Sequence, residues 1–159
     1  MGGRPKELEL IESLLRKQST LALSTTDEVG QACVAPLFYL ADEDLNLYWL
    51  SSATSLHSVN LIRVPTAAAT VYRDVHSWKE ICGVQMRGTV TVVTDKKRRR
   101  EVINAYCQRF QLGTLFRLPI SRCDLFAYRP EFIRYIDNSR KFGSKIELER
   151  NSRGDWNRC

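Results

Sequence analysis

Apolar and polar positions follow two different rhythms along this chain. Leu8, Ile11 and Leu15, with Leu14 beside them, recur at helical spacing and predict an opening amphipathic helix from about Pro5 to Lys17. Thr20 to Thr25 then reads as a strand. Asp27 to Gly30 reads as a turn in which Gly30 can take a positive φ, and Gln31 to Ala41 as the returning strand of a hairpin. Pro36 lies inside that second strand. A proline cannot donate to a ladder, so it predicts a sheet edge, or backbone free to face something other than a strand.

Asp42 to Asp44 turns the chain into a third strand, with Leu45, Leu47 and Trp49 on one face. The strand rhythm stops at Ser51-Ser52. Thr54 then stands where a helix cap belongs, and Leu56, Val59 and Ile62 recur as the apolar stripe of a short helix. Ala67 to Tyr72 predicts a fourth strand, and Arg73 to Glu80 a loop holding His76 and Trp78. From Ile81 to Thr94, Val84, Met86, Val90 and Val92 alternate with Gln85, Arg87, Thr89 and Thr91, the period of a half-buried antiparallel strand. Gly83 and Gly88 interrupt it, which predicts a bulge, a bend or close approach by another group.

Asp95 to about Leu112 carries the longest helical stripe, Val102, Ile103, Tyr106 and Phe110, with Gly113 as terminator. Leu125 to Asp137 supplies a last strand, broken at Arg129-Pro130. Six strands with short connections and few helices predict a mainly β, α+β chain: a six-stranded antiparallel barrel with flanking helices. One domain is expected over residues 1–148, followed by a polar, mobile tail over 149–159.

At 159 residues the chain is long enough for a real core, and its 43% hydrophobic and 26% charged content is that of a soluble globular protein. No apolar run reaches a membrane span, and MGGRPKELEL lacks a signal-peptide apolar segment, so a cytoplasmic protein with no membrane partner is expected. Cys33, Cys82, Cys107, Cys123 and Cys159 are odd in number and widely spaced, which argues against a disulfide framework and against zinc. Cys33 and Cys82 fall in apolar strand patterns and read as core residues. With His57 and His76 the only histidines, no metal site is expected. The net charge of +6 is concentrated in Lys96 to Arg100, which opens a predicted helix and reads as a solvated face. No nucleic-acid motif accompanies it, so nucleic acid is not an expected partner; a basic face suits an anionic cofactor or substrate equally well.

The candidate chemistry sits between Tyr48 and Leu61. Ser51, Ser52, Thr54 and Ser55 supply four hydroxyls and His57 an imidazole at the start of the short helix. Unpaired N–H groups and a partial positive charge make such a terminus receptive to phosphate.

The order of LALSTTDEVGQACVAPLFY (Leu21 to Tyr39), YWLSSATSLHSVNL (Tyr48 to Leu61), GVQMRGTV (Gly83 to Val90) and YIDNSRKFGSK (Tyr135 to Lys145) resembles the pyridoxamine 5′-phosphate oxidase-like FMN-binding split β-barrels. The resemblance implies a homodimer with FMN in a cleft between protomers and a small-molecule substrate. It implies that Val34, Ala35, Pro36 and Leu37 lie along the flavin ring, and that Ser51, Ser52, Ser55 and His57 hold the phosphate. Many relatives carry a basic pair where this chain has Leu56-His57, so Arg63 is a further candidate cation. It also places Gln85 at the flavin edge and Lys145 near the flavin's N1–C2 carbonyl region. Trp78 is expected on its own barrel, with a place over the flavin or against a second protomer as the alternative. The chemistry implied is that of an FMN-dependent oxidoreductase. KFGSKI (Lys141 to Ile146) lacks the substrate-contacting residues of the true oxidases. The alternatives are a deazaflavin-dependent reductase and a non-catalytic flavin or haem carrier, for which a histidine would be the haem ligand. A purely nucleic-acid-binding barrel is a further alternative, marked by salt-dependent retention and no chromophore.

Overall fold

The computed structural model describes residues 6–113 and 116–159. Its longest strands are β6 (Cys82–Val92) and β7 (Asp124–Asp137), which pair antiparallel along the whole of β6, from Cys82 opposite Asp137 to Val92 opposite Phe126. The register slips once, between Arg87 and Gly88, where Glu131 of β7 has no opposite number. Instead of breaking at Arg129-Pro130, the strand runs through as one bulged element. Gly88 explains how: a Cβ there would meet the Arg129 carbonyl oxygen and lie 2.8 Å from Pro130 Cα.

The bulge divides the duties of β7. Its first half pairs with β4 (Leu47–Ser51), its second half with β8 (Lys145–Arg150), while β6 holds its other edge throughout. The sheet runs β2 (Ala32–Phe38), β1 (Thr20–Thr26), β5 (Thr66–Tyr72), β6, β7, β4, β3 (Leu40–Ala41), with β8 and then β9 (Trp156–Arg158) added at the second half of β7. All these ladders are antiparallel. The described residues thus form nine strands rather than six, because the second expected strand divides at Tyr39 and the C-terminal stretch folds. Pro36 sits on edge strand β2, opposite Ala22, where no ladder donor is asked of it.

The inward face is apolar. Leu23, Val84, Met86, Tyr128 and Ile133 are buried, and Trp49 stacks on Phe126 with centroids 5.8 Å apart. Helix α1 (Lys6–Lys17) adds Ile11 and Leu15 to the same core. Tyr39 Oη donates to the Leu15 carbonyl at 2.6 Å, and Arg109 of α3 (Lys96–Arg109) donates to the carbonyls of Arg16 and Gln18 at 2.7 and 2.6 Å. The Asp95 carboxylate caps α3 through Arg98 N at 2.7 Å. The basic run is put to use: Arg98 bonds Asp42 at 3.1 Å and Tyr48 Oη at 2.8 Å, and Arg99 donates to the Cys123 carbonyl at 2.6 Å. Gln111, at φ 51°, takes the left-handed position after α3 that Gly113 was expected to fill. A short helix, α4 (Arg117–Ser121), leads into β7. Cys82 is buried as expected, whereas Cys33 is half-buried. No helix is long and apolar enough to cross a membrane among the described residues.

Two features differ from the pattern read in the sequence. Where a polar tail is expected over 149–159, part of the stretch forms strands. Glu149 and Arg150 lie in β8, Asn151 Oδ1 accepts from the N–H groups of Arg153 and Asp155 at 2.9 Å each, and Gly154 turns the chain at φ 92° into β9. The Arg150 guanidinium lies 4.7 Å over the Trp156 ring and donates to the Asp44 carbonyl, which latches the hairpin to the β3–β4 turn. Helix α2 (Leu56–Arg63) faces opposite to its stripe: Ser58, Asn60 and Leu61 are buried, while Leu56, Val59 and Ile62 are 60%, 50% and 66% exposed. Asn60 sets the orientation by donating from Nδ2 to Thr25 Oγ1 at 3.1 Å. A buried amide bond of this kind wins because leaving either group unpaired costs about 1–3 kcal/mol.

Replacing Gly88 by alanine is expected to destabilise the chain by about 2 kcal/mol or more, since the added methyl meets backbone on β7 that cannot yield. Urea denaturation of G88A reads this directly; an unchanged midpoint would mean that the ladder closes without the close approach.

Candidate functional site

The outward face of the sheet carries small side chains in its middle. Ala22 and Ser24 of β1 stand opposite Thr70 and Ala68 of β5. Those two stand opposite Gln85 and Arg87 of β6, which in turn oppose Arg134 and Phe132 of β7. Larger groups at both ends and small ones between leave a cleft of about 560 Å³, walled by Val34 on the β2 side and by Gln85, Arg87, Phe132 and Arg134 on the other. Its floor of methyl and methylene groups is suited to a flat ring, and its polar groups are concentrated along one wall.

Of the sequence-predicted ring contacts, Val34 and Pro36 face outward, on the rows of Ser24 and Ala22. Ala35 and Leu37 alternate to the other face, where Leu37 packs on the core. Gln85 is exposed in the cleft wall, and its Oε1 accepts from Arg134 Nη1 at 3.4 Å. Arg134 Nε donates to Glu147 Oε1 at 2.7 Å, and Lys145 Nζ lies 3.7 Å from that same oxygen. Gln85 and Lys145 therefore belong to one polar chain along β6, β7 and β8. The hydrogen bond from Arg134, more than any other influence, holds the Glu147 carboxyl below the usual range.

The hydroxyl turn forms its own cluster. Ser51 Oγ lies 2.7 Å from His57 Nε2 and 3.1 Å from Ser55 Oγ, and Ser52 Oγ lies 2.9 Å from Thr54 Oγ1. Thr54 is thus paired with Ser52, and the N-cap position falls to Ser55, which makes no side-chain cap bond. The amino end of α2 is left open to an acceptor. Burial pushes His57 below its usual range, so its ring is neutral at pH 7. Arg63 is not the missing cation: at the far end of α2 it donates to the Thr26 carbonyl at 3.3 Å and lies 4.0 Å from Glu28. The turn residues and Lys145 do not line the cleft. Helix α2 nonetheless docks beside it, since Thr25, the partner of Asn60, follows the cleft residue Ser24.

Trp78, in a 3₁₀ turn (Trp78–Glu80), packs edge-on against Phe142 of its own chain, centroids 5.1 Å apart, and its carbonyl accepts from Asn138 Nδ2 at 2.9 Å. The segment after β7 is anchored at Asp137, whose carboxylate accepts from Tyr135 Oη at 3.1 Å and Ser139 Oγ at 2.6 Å. Burial works to raise the Asp137 carboxyl, but these bonds outweigh it and hold the group below its usual range. Among the described residues there is no metal-binding cluster of histidine, cysteine and carboxylate groups.

Sequence reasoning missed Arg87, Arg134, Phe132 and the small-residue floor. The signal was present: Ala22 and Ser24 alternate with Leu21 and Leu23, and Ala68 and Thr70 with Ala69 and Val71. Only the register shows that these small outward positions fall side by side.

A family model described as pyridoxamine 5′-phosphate oxidase matches residues 8–131. A UPF0306 protein of Yersinia pseudotuberculosis is 26% identical over 149 residues, covering 93% of this chain and 97% of that protein. Among solved structures, a haem-binding protein from Mycobacterium smegmatis superposes with a TM-score of 0.72 at 14% identity, over 93% of this chain and 60% of that one. HutZ, the haem storage protein from Vibrio cholerae, superposes with a TM-score of 0.63 at 20% identity, over 82% and 92%. These structural likenesses extend to the curled antiparallel sheet with its flanking helices. Matched over well beyond half its length and folded as a split barrel, the chain belongs to the pyridoxamine 5′-phosphate oxidase family.

Proposed function

We propose that this chain is a homodimeric FMN-binding protein that acts as an oxidoreductase on a small-molecule substrate in the cytoplasm. The observation that carries the reading is the cleft: a flat apolar floor with a primary amide, Gln85, and charged groups on one wall. The floor suits the flavin ring, and an amide can match the ring's alternating carbonyl and N–H pattern. Val34 and Pro36, with the backbone of Ala35 and Leu37 between and beside them, would lie along the ring, and Ser51, Ser52, Ser55 and His57 would hold the phosphate at the open amino end of α2. Lys145 would stand near the N1–C2 carbonyl region, where a cation favours the anionic reduced ring. Bound FMN would supply hydride or electron transfer, leaving the protein to bind, orient and exclude water.

Two features support a site shared by protomers. The turn lies outside the cleft that holds Gln85, which fits a ligand whose ring and phosphate are held by different copies. The exposed stripe Leu56, Val59 and Ile62 also adjoins the turn and needs a cover. The five free cysteines fit a reducing compartment.

Haem is the second reading, drawn from the haem-binding relatives. The cleft lining speaks against it: it contains neither an imidazole nor a thiolate, His57 Nε2 is engaged with Ser51, and His76 is exposed in the β5–β6 loop. The absorbance spectrum of the purified protein, with chromatography of any released chromophore, separates the readings. Flavin bands with about one FMN per protomer are expected; a Soret band would favour haem, and failure to take up added FMN would remove the cofactor proposed.

Since His57 is neutral in the free protein and a phosphate dianion raises its pKa, FMN binding should take up a proton. Affinity is then expected to rise roughly three- to tenfold as pH falls from about 8 to about 6.5, before phosphate protonation near pH 6 reverses it. Fluorescence titration of FMN checks this, and His57→Ala should flatten the profile while weakening binding. A second expectation concerns the stripe on α2. Val59→Glu should raise the dimer dissociation constant by about tenfold or more by burying an unpaired charge. Sedimentation equilibrium measures it; an unaffected dimer would place the interface elsewhere.

A further inference from the structure

Arginine-bearing clusters at three places contrast with one another, and two of them are occupied with holding the fold. Arg98 is spent on Asp42 and Tyr48, and Arg150 on Asp44, Asn46 and the Trp156 ring. The third is in the cleft wall. There the two arginines differ: Arg134 is committed to Glu147 and Gln85, whereas Arg87 has no hydrogen-bond or ion-pair partner among the described residues.

Arg87 is nevertheless held in place. Its guanidinium carbon lies 4.4 Å from the centroid of the Phe132 ring, its cross-strand neighbour on β7. On its other side stands Ala68, too small to cover it. The guanidinium is therefore stacked on an aromatic face, with its donors free to point over the small-residue floor. Five N–H donors on a planar fork, preorganised by stacking, match the two oxygens of a carboxylate or phosphate better than any neutral group. Glu149, opposite Phe132 on β8, makes no ion pair with it among the described residues, and Glu147, further along the same ladder, is taken by Arg134 and Lys145.

We propose that Arg87, stacked on Phe132, is an oxyanion anchor of the cleft, taking a carboxylate or phosphate borne by the ligand whose flat part lies on the floor. The anchor stands on the cleft's own geometry. The oxyanion has two possible sources, the phosphate of FMN, which rests on the flavin reading, and the acidic group of a co-substrate, which does not.

Calorimetric titration of the full chain with two matched pairs tests it: FMN against riboflavin, which differ in the phosphate, and benzoate against benzamide, which differ in charge. In the parent protein the anionic member of at least one pair is expected to bind about tenfold tighter or more than its neutral partner. Arg87→Met should erase that preference, and Arg87→Lys should restore it only in part, since an ammonium cannot fork. Arg87 is exposed, so both variants should melt with the parent. A flavin-pair preference that Arg87→Met erases assigns the anchor to the cofactor phosphate; a benzoate-pair preference that it erases assigns the anchor to a co-substrate. An FMN preference lost in His57→Ala and kept in Arg87→Met, with no benzoate preference, would give the phosphate to the turn and overturn the anchor. So would parent-like preferences in Arg87→Met for both pairs. A protein that binds neither flavin would sink the FMN reading, while the benzoate pair would still decide the anchor.

Discussion

The rest of the molecule depends on the ladder between β6 and β7 and on its one irregularity. Two long strands paired over their whole common length would make a flat or evenly twisted ribbon. The extra residue at Glu131, allowed by the missing side chain of Gly88, makes β7 present different halves to different partners. Residues before the bulge pair with β4 and residues after it with β8. The curl that encloses Trp49, Tyr128 and Ile133 follows, and so does the outward face on which the cleft sits. Gln85, Arg87, Phe132 and Arg134 all lie within three residues of the register shift, so the same backbone feature shapes the core and positions the cleft wall.

The outward face shows what a sheet can do when it does not have to be soluble everywhere. A polar exterior would carry long side chains at every second position of β1 and β5. This chain places Ala22, Ser24, Ala68 and Thr70 there and keeps the length for the neighbouring strands. The cost is unburied apolar surface at the centre of a sheet, which makes sense where something flat covers it. The same logic applies to α2. Its apolar stripe is turned away from the core because Asn60 and Ser58 are turned toward it, and an eight-residue helix with a buried amide bond has little freedom to rotate.

That helix marks the limit of what periodicity can say. Leu56, Val59 and Ile62 were legible as one face, yet a stripe records only that a face is to be covered, not by which surface. Strand order and type were more accessible: the alternation through Val84, Met86 and Val90 holds, Pro36 lies at an edge, and Gly88 makes the close approach it implied. The C-terminal hairpin was hidden because its residues are polar, and composition cannot show that β7 offers an open edge after the bulge. Asn151 and Gly154 were the available signals, a side chain that closes a turn and a residue that can take positive φ. For the site, serine and histidine spacing placed the turn, and their mutual bonds follow from it. Arg87 and Arg134 were invisible as a pair, because only the register brings Arg87 beside Phe132 and its neighbour Arg134.

The electrostatics of the two anion-receptive places differ in a way that bears on how they would act. At the turn, the only nearby titratable donor of the cluster, His57, is kept neutral by burial, so attraction rests on hydroxyls and open N–H groups until an anion arrives to stabilise the protonated ring. In the cleft, the Arg87 guanidinium is already held on Phe132, and an arginine side chain does not depend on an arriving anion to be a cation. A pH-dependent receptor and a constant one on the same protomer would respond differently to the same phosphate. The turn would release it as the solution becomes alkaline, while the cleft arginine would keep its hold. Binding that weakens with rising pH is therefore a signature of the turn, and binding indifferent to pH over that range is a signature of Arg87.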